Sequence, residues 1–257
     1  MCSSLSAAVV FSQNFSAGGN VASYVGSGLN QFETYNDGTP DNVISVTGNQ
    51  LVFDRTATGG NSGMLRIGST GMSGSITTGF TFTADISLVS WTSASSTIIS
   101  TTAGFLQYGN QQGSTARFDA VSNNATNYWL TASGAANAGN TWGQSGTKTI
   151  TWVVNNTGSN YTYVAPDASS KTLATGTYDL WIGTGSSGQR LDVGYSVNAS
   201  GFNSIQFGLP NWPSSIASFG LDSIQISDLA AVPEPSSMLL LGLGGVALVA
   251  FRRLRRD

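Results

Sequence analysis

Residues 80–88 constrain the fold more than any other stretch. Phe80, Phe82, Ala84, Ile86 and Leu88 alternate with Thr81, Thr83, Asp85 and Ser87. A period of two places the first set on one face of a strand and the second on the other. Residues 148–155 repeat the pattern, with Ile150, Trp152 and Val154 in phase. Further strand segments are read at 50–53, 64–67, 177–182, 191–197, 204–208 and 218–226. Turn formers separate them: Asn36-Asp37-Gly38, Thr58-Gly59-Gly60-Asn61, Asn155-Asn156-Thr157-Gly158 and Gly183-Thr184-Gly185-Ser186. Their Gly and Asn residues tolerate positive φ. No amphipathic helix of useful length precedes the C-terminal tail. Many strands without crossover helices predict an all-β, antiparallel β-sandwich, with a jelly roll as the favoured version. The absence of an obvious internal repeat disfavours a propeller or solenoid.

A chain of 257 residues suits one large all-β domain. Only 9% of residues are charged, so Gly, Ser, Thr and Asn supply most of the polarity. This reads as an extracellular, β-rich chain. There is no histidine, which removes the commonest general base and metal ligand. The single cysteine, Cys2, excludes an internal disulfide and a cysteine-based zinc site. The core must therefore hold without covalent staples. The formal charge is -3, and four of the ten basic residues sit at the extreme C-terminus. The acidic remainder argues against a nucleic-acid partner, since phosphate binding needs a basic face.

The tail is the most informative segment. Val232-Pro233-Glu234-Pro235-Ser236-Ser237 leads into an uncharged run of 14 residues, 238–251. Arg252, Arg253, Arg255 and Arg256 follow. As a helix the run would span about 21 Å. That is short of the roughly 20 residues of a comfortable spanning helix. Flanking serines and snorkelling arginines can make up the difference. The expected architecture is thus a sandwich followed by a single C-terminal hydrophobic helix. The arginines set the topology and keep that end cytoplasmic, with the body on the other side. Two alternatives are a buried terminal helix and an unprocessed membrane anchor. Gly242, Gly244 and Gly245 weigh against the first.

Pro233-Glu234-Pro235, a short glycine-rich apolar run and the arginine cluster resemble, in order and spacing, the PEP-CTERM sorting signal. The resemblance covers residues 231–257. It implies recognition by an exosortase-type membrane transpeptidase, cutting near Pro233, Glu234 and Pro235, which serve as substrate residues. It also implies a Gram-negative host that makes exopolysaccharide or biofilm. The expected location is the cytoplasmic membrane as an intermediate, then the outer surface or extracellular matrix.

At the other end, residues 5–10 resemble the close of a secretory signal peptide. Residues 1–4 supply neither a positive region nor an apolar stretch. The expectation is that the true start lies upstream, that residues 1–10 are the remnant of a leader, and that cleavage falls near Ala8. The other reading is a short strand. The body is then 11–230, and residues 133–146 form a long surface loop of low complexity.

The body also resembles concanavalin A-like and laminin G-like jelly rolls. The likeness lies in Thr151-Trp152-Val153-Val154-Asn155-Asn156, Tyr161-Thr162-Tyr163, Thr177-Tyr178-Asp179-Leu180-Trp181 and Phe219-Gly220-Leu221-Asp222-Ser223-Ile224. Laminarinase-type members use two glutamates and an aspartate on one strand. This chain has Glu33 alone and Glu234 in the sorting motif, so that set is missing. Asp85, Asp119, Asp179 and Asp192 show no paired spacing. A serine hydrolase lacks its histidine, and neither Lys148 nor Lys171 lies in a recognisable Ser-Lys motif. No catalytic residue and no cofactor is assigned, and the chain is read as a non-enzyme.

Two binding chemistries stay open. Asp37 and Asp41 put two carboxylates in one loop, a calcium candidate; an Asx turn is the plainer reading, and no metal is assigned. Sugars stack on aromatic faces, and Trp129, Trp142 and Trp212 lie in or beside loops. Trp152 and Trp181 read as core. The chain is thus expected to be an exported matrix protein associated with exopolysaccharide. The alternatives are a carbohydrate-binding module and, behind it, a cryptic glycan hydrolase.

Overall fold

The computed structural model describes residues 7–36, 42–56, 63–91, 97–106, 112–122, 127–132, 142–143, 146–196, 202–208 and 216–229. Residues 7–229 form one compact unit. In chain order the strands are β1 (Val9–Gln13), β2 (Thr34–Asn36), β3 (Asn42–Thr47), β4 (Gln50–Arg55), β5 (Met64–Ile67) and β6 (Gly79–Trp91). Then come β7 (Thr97–Leu106), β8 (Gln112–Ser122), β9 (Asn127–Ala132), β10 (Trp142–Gly143), β11 (Lys148–Asn155) and β12 (Tyr161–Val164). The last are β13 (Ser170–Leu173), β14 (Thr177–Ile182), β15 (Gln189–Ser196), β16 (Ser204–Gly208) and β17 (Ala217–Asp228). Between β1 and β2 lies a short 3-10 turn, Val21–Tyr24. The expected C-terminal helix falls outside the described residues. Among those described, no helix is long and apolar enough to cross a membrane.

Two antiparallel sheets make a sandwich. The first runs β15-β14-β11-β6-β17-β4-β3, and the second β10-β9-β8-β7-β16-β5-β2. The chain crosses repeatedly between them, as jelly-roll connectivity requires. β17 is central. It pairs with β6 along one side. Along the other it takes β4 at residues 217–221 and β1 at 224–227. The two ends of the body therefore meet. Ala8 N donates to Asp228 Oδ1 at 2.7 Å, and Asp228 N donates to Ala8 O at 3.0 Å. Val9 and Val10, read from sequence as part of a leader remnant, lie in β1. A cut after Ala8 leaves that strand whole.

The alternation at 80–88 does what its period dictates. Phe80, Phe82, Ala84 and Ile86 are buried, while Thr81, Thr83, Asp85 and Ser87 are half-buried. Trp152 stands opposite Phe82 on one side and Leu180 on the other. Its ring meets Phe80 and Phe118 edge-on, each with centroids 5.2 Å apart, and Tyr178 at 5.7 Å. Phe118 belongs to the second sheet, so this cluster fastens the layers. Tyr178 adds a cross-layer bond, its hydroxyl donating to Arg117 O at 2.6 Å.

The outer face of the first sheet is partly roofed by the β12–β13 hairpin. Trp181, Tyr163, Leu173 and Val153 pack there as a second, small core. Asp179 is wholly buried beneath it. Tyr163 donates to Asp179 Oδ2 at 2.5 Å, Trp181 Nε1 donates to the Tyr163 oxygen at 2.9 Å, and Arg190 pairs with Asp179 from β15. Burial, and then the bond to Asp179, push the Tyr163 phenol above the ordinary tyrosine range. Asn155 closes the hairpin base. Its Nδ2 donates to Ser159 O and Leu173 O, both at 2.9 Å, and its Oδ1 accepts from Thr157 N at 3.1 Å.

All six Lys and Arg residues of 7–229 lie in strands: Arg55, Arg66, Arg117, Lys148, Lys171 and Arg190. Arg55 and Arg66 are buried and the other four are half-buried. Burial pulls the Arg55 guanidinium down to about 10, so it stays charged at neutral pH.

The hairpin gives the first prediction. Tyr163→Phe deletes a donor to a buried carboxylate and the acceptor for Trp181, and should lower unfolding stability by about 1.5–3 kcal/mol in urea titration. An unchanged midpoint would show that the hairpin is not held by this network.

Candidate functional site

Three places were marked for function by the sequence. Trp129 lies in β9 and Trp142 in β10. The pairing sets Trp142 opposite Tyr128, so positions 129 and 142 are one register step apart on adjacent strands. The stretch 133–146, read as a loop, thus contains the short β10. Trp212 falls outside the described residues. So do the calcium candidates Asp37 and Asp41, the sorting residues Pro233, Glu234 and Pro235, and the topology residues Arg252, Arg253, Arg255 and Arg256. Trp152 and Trp181 are core, as expected, at 0% and 1% exposure. Among the described residues no group of three or more His, Cys, Asp or Glu could hold a metal ion.

Strand register reveals a carboxylate pair that chain spacing does not. Asp85 on β6 and Asp222 on β17 are direct cross-strand partners. Both point away from the core, since their strand neighbours Ala84, Ile86 and Leu221 are buried. Directly opposed side chains have Cβ atoms about 4.5–5.5 Å apart. A retaining glycosidase needs two carboxyl groups about 5–5.5 Å apart. The surroundings here are those of a packed surface. Asp85 Oδ1 accepts from Thr149 Oγ1 at 2.6 Å, and Asp222 Oδ1 accepts from Ser223 N at 2.6 Å. Ser223 has φ +50°, and the register slips between Asp222 and Gln225, which is a β-bulge. The bulge lets β17 turn Ile224 inward again after Leu221.

A second feature is concave. A cleft of about 330 Å³ opens between the 3-10 turn and the edge strands β2 and β3. Val21 and Ile44 line it and are buried, while Tyr35 and Val46 are half-buried against the main core. Asn20 and Ser45 supply its polar groups. Asn20 is the N-cap of the turn, and its Oδ1 accepts from Ser23 N at 3.2 Å and Ser23 Oγ at 3.4 Å. Both bonds use the oxygen, so the Nδ2 group takes no part in the cap. Nearby on the second sheet, Arg66 donates to Glu33 at 3.3 Å and to Thr34 Oγ1 at 2.9 Å. This ion pair ties the segment before β2 to β5.

The fold has relatives of known structure. A sialidase superposes with TM-score 0.56 at 9% identity, over 86% of this chain and 19% of that one. The chain thus spans about a fifth of that sialidase's length. The conserved carbohydrate esterase of the Shiga toxin-encoding bacteriophage phi24B superposes with TM-score 0.51 at 13% identity, over 87% of this chain and 99% of the esterase. At such identities the likeness shows the fold alone. No curated protein sequence matches the chain. Residues 231–256 match the PEP-CTERM protein-sorting motif. The motif implies an exported protein handled by an exosortase system.

The opposed aspartates yield the second prediction. Asp222→Asn keeps an acceptor for Ser223 N and removes a like-charge contact, so it should stabilise the fold by about 0.2–1 kcal/mol at neutral pH. The gain should shrink in 1 M salt, where the Debye length is about 3 Å. A loss of stability would mean that the two carboxylates do not oppose one another unfavourably across the strands.

Proposed function

We propose that this chain is a non-catalytic surface protein, exported, anchored briefly by its tail, and then delivered to the outer surface or extracellular matrix. The observation that carries the reading is the sorting motif at 231–256. In it, Pro233, Glu234 and Pro235 present the cut site to an exosortase-type transpeptidase. The apolar run 238–251 and the arginine cluster hold the chain in the cytoplasmic membrane until the cut. The host is a Gram-negative bacterium that builds exopolysaccharide or biofilm.

The body supports a structural role there. Its stability rests on apolar packing and backbone ladders, with no internal disulfide to be lost in a changing exterior. It has no histidine, and its one opposed carboxylate pair among the described residues is not set in the cleft. The second reading is a carbohydrate-binding module. The directly opposed aromatic positions 128 and 142 on β9 and β10 favour it, while position 129, one register step on, belongs to the other face of the sheet.

Mass spectrometry of the protein isolated from its native host should find a C-terminus between residues 232 and 236. Molecules that mostly retain Arg256 would overturn the sorting role. Replacing Pro233-Glu234-Pro235 with alanines should leave the uncut form in the membrane fraction.

A further inference from the structure

We propose that the cleft between the 3-10 turn and the edges of the sandwich binds a single neutral pyranose unit, at the end or on a branch of a glycan. The inference rests on reading the chain as a matrix-associated surface protein, and it places recognition away from the tryptophans. Several observations converge on this class of ligand.

Size comes first. About 330 Å³ is at the small end of ligand pockets, which run from about 300 to 1,000 Å³. It suits one ring and not a polymer segment. Lining comes second. Tyr35 offers an aromatic ring at the wall, with Val21, Ile44 and Val46 around it. Sugar C–H faces pack on such surfaces. Asn20 and Ser45 stand at the rim as donor and hydroxyl partners. The cap bonds to Ser23 use the Asn20 oxygen, so its Nδ2 group takes no part in them and can donate to a sugar oxygen.

Charge decides between neutral and acidic sugars. No lining residue is charged. Residues 7–229 carry eleven Asp and Glu against six Lys and Arg, and none of those six is fully exposed. A uronate entering the cleft would lose hydration without meeting a cation. A neutral pyranose has hydroxyls that both donate and accept, which matches the rim. The cleft is also well founded. The 3-10 turn is pinned by the Tyr24 hydroxyl, 3.0 Å from the Phe15 carbonyl, and the floor residues belong to the main core.

The test uses the purified full chain in isothermal titration with methyl glucoside, galactoside and mannoside, and with methyl glucuronide as the acidic counterpart. At least one neutral pyranoside should bind saturably, and more tightly than the glucuronide. Ala22 is an exposed rim residue, so Ala22→Trp fills the cleft without touching the core. It should weaken binding at least tenfold with an unchanged melting temperature. Tyr35→Ala should also weaken binding by removing the platform, with some fall in melting temperature because Tyr35 packs against the main core. No saturable binding, a preference for the glucuronide, or binding untouched by Ala22→Trp would each overturn the proposal. Binding that survives Ala22→Trp but falls in Trp129→Ala would move recognition to β9 and β10. The C-terminal cut is measured separately in the native host, so failure here and failure of the sorting role are told apart.

Discussion

Trp152 holds the molecule together at its centre. It sits on the middle of the first sheet and reaches Phe118 of the second, with Phe80 and Tyr178 closing round it. A chain with one cysteine has no internal disulfide to fix two sheets face to face, so packing between the layers carries that task, with this cluster at its centre. Edge-on aromatic contacts add about 0.5–1.5 kcal/mol each beyond area burial. Loss of such a side chain costs about 3–5 kcal/mol, against a total of about 5–15 for a domain. The cluster also sets the spacing of the sheets, and with it the position of the edge strands that border the cleft.

The central place of β17 imposes a second constraint. It is the last strand, yet it pairs with β6, β4 and β1. The first sheet cannot close until nearly the whole body is available. Contacts between distant parts of a chain slow folding, because loop closure is costly before pairing rewards it. The same arrangement brings β1 beside β17, so the body has a sealed seam where its two ends meet.

Much of the sandwich was legible in the chain. Residues 64–67, 148–155, 177–182 and 204–208 were read with the bounds they have, because each carries large apolar side chains in phase with the core. β2, β3, β7, β8, β9, β10 and β13 are not among the strand segments read from the sequence. Segments such as Thr97–Leu106 and Gln112–Ser122 are rich in Thr, Ser, Ala and Gly, and their strand state comes from the ladders to their neighbours. The sorting motif is contiguous and could be seen directly. The cleft could not, since it joins Asn20, Tyr35 and Ser45 from three elements whose meeting depends on both sheets. The Asp85–Asp222 pair was hidden for the same reason: only register shows that they face one another.

The placement of the basic residues has a consequence for survival outside the cell. Every Lys and Arg of 7–229 lies within a strand. Trypsin-like proteases need an extended, accessible segment around a basic residue, and loops are where such nicks occur. The loops of this body offer none. Cleavage would require a strand to leave its sheet, so the rate is tied to unfolding and not to surface exposure. The proposed cut near Pro233 would discard the four remaining arginines. The processed body would then be left without a scissile bond in reach of that class of enzyme, a useful property for an exported protein.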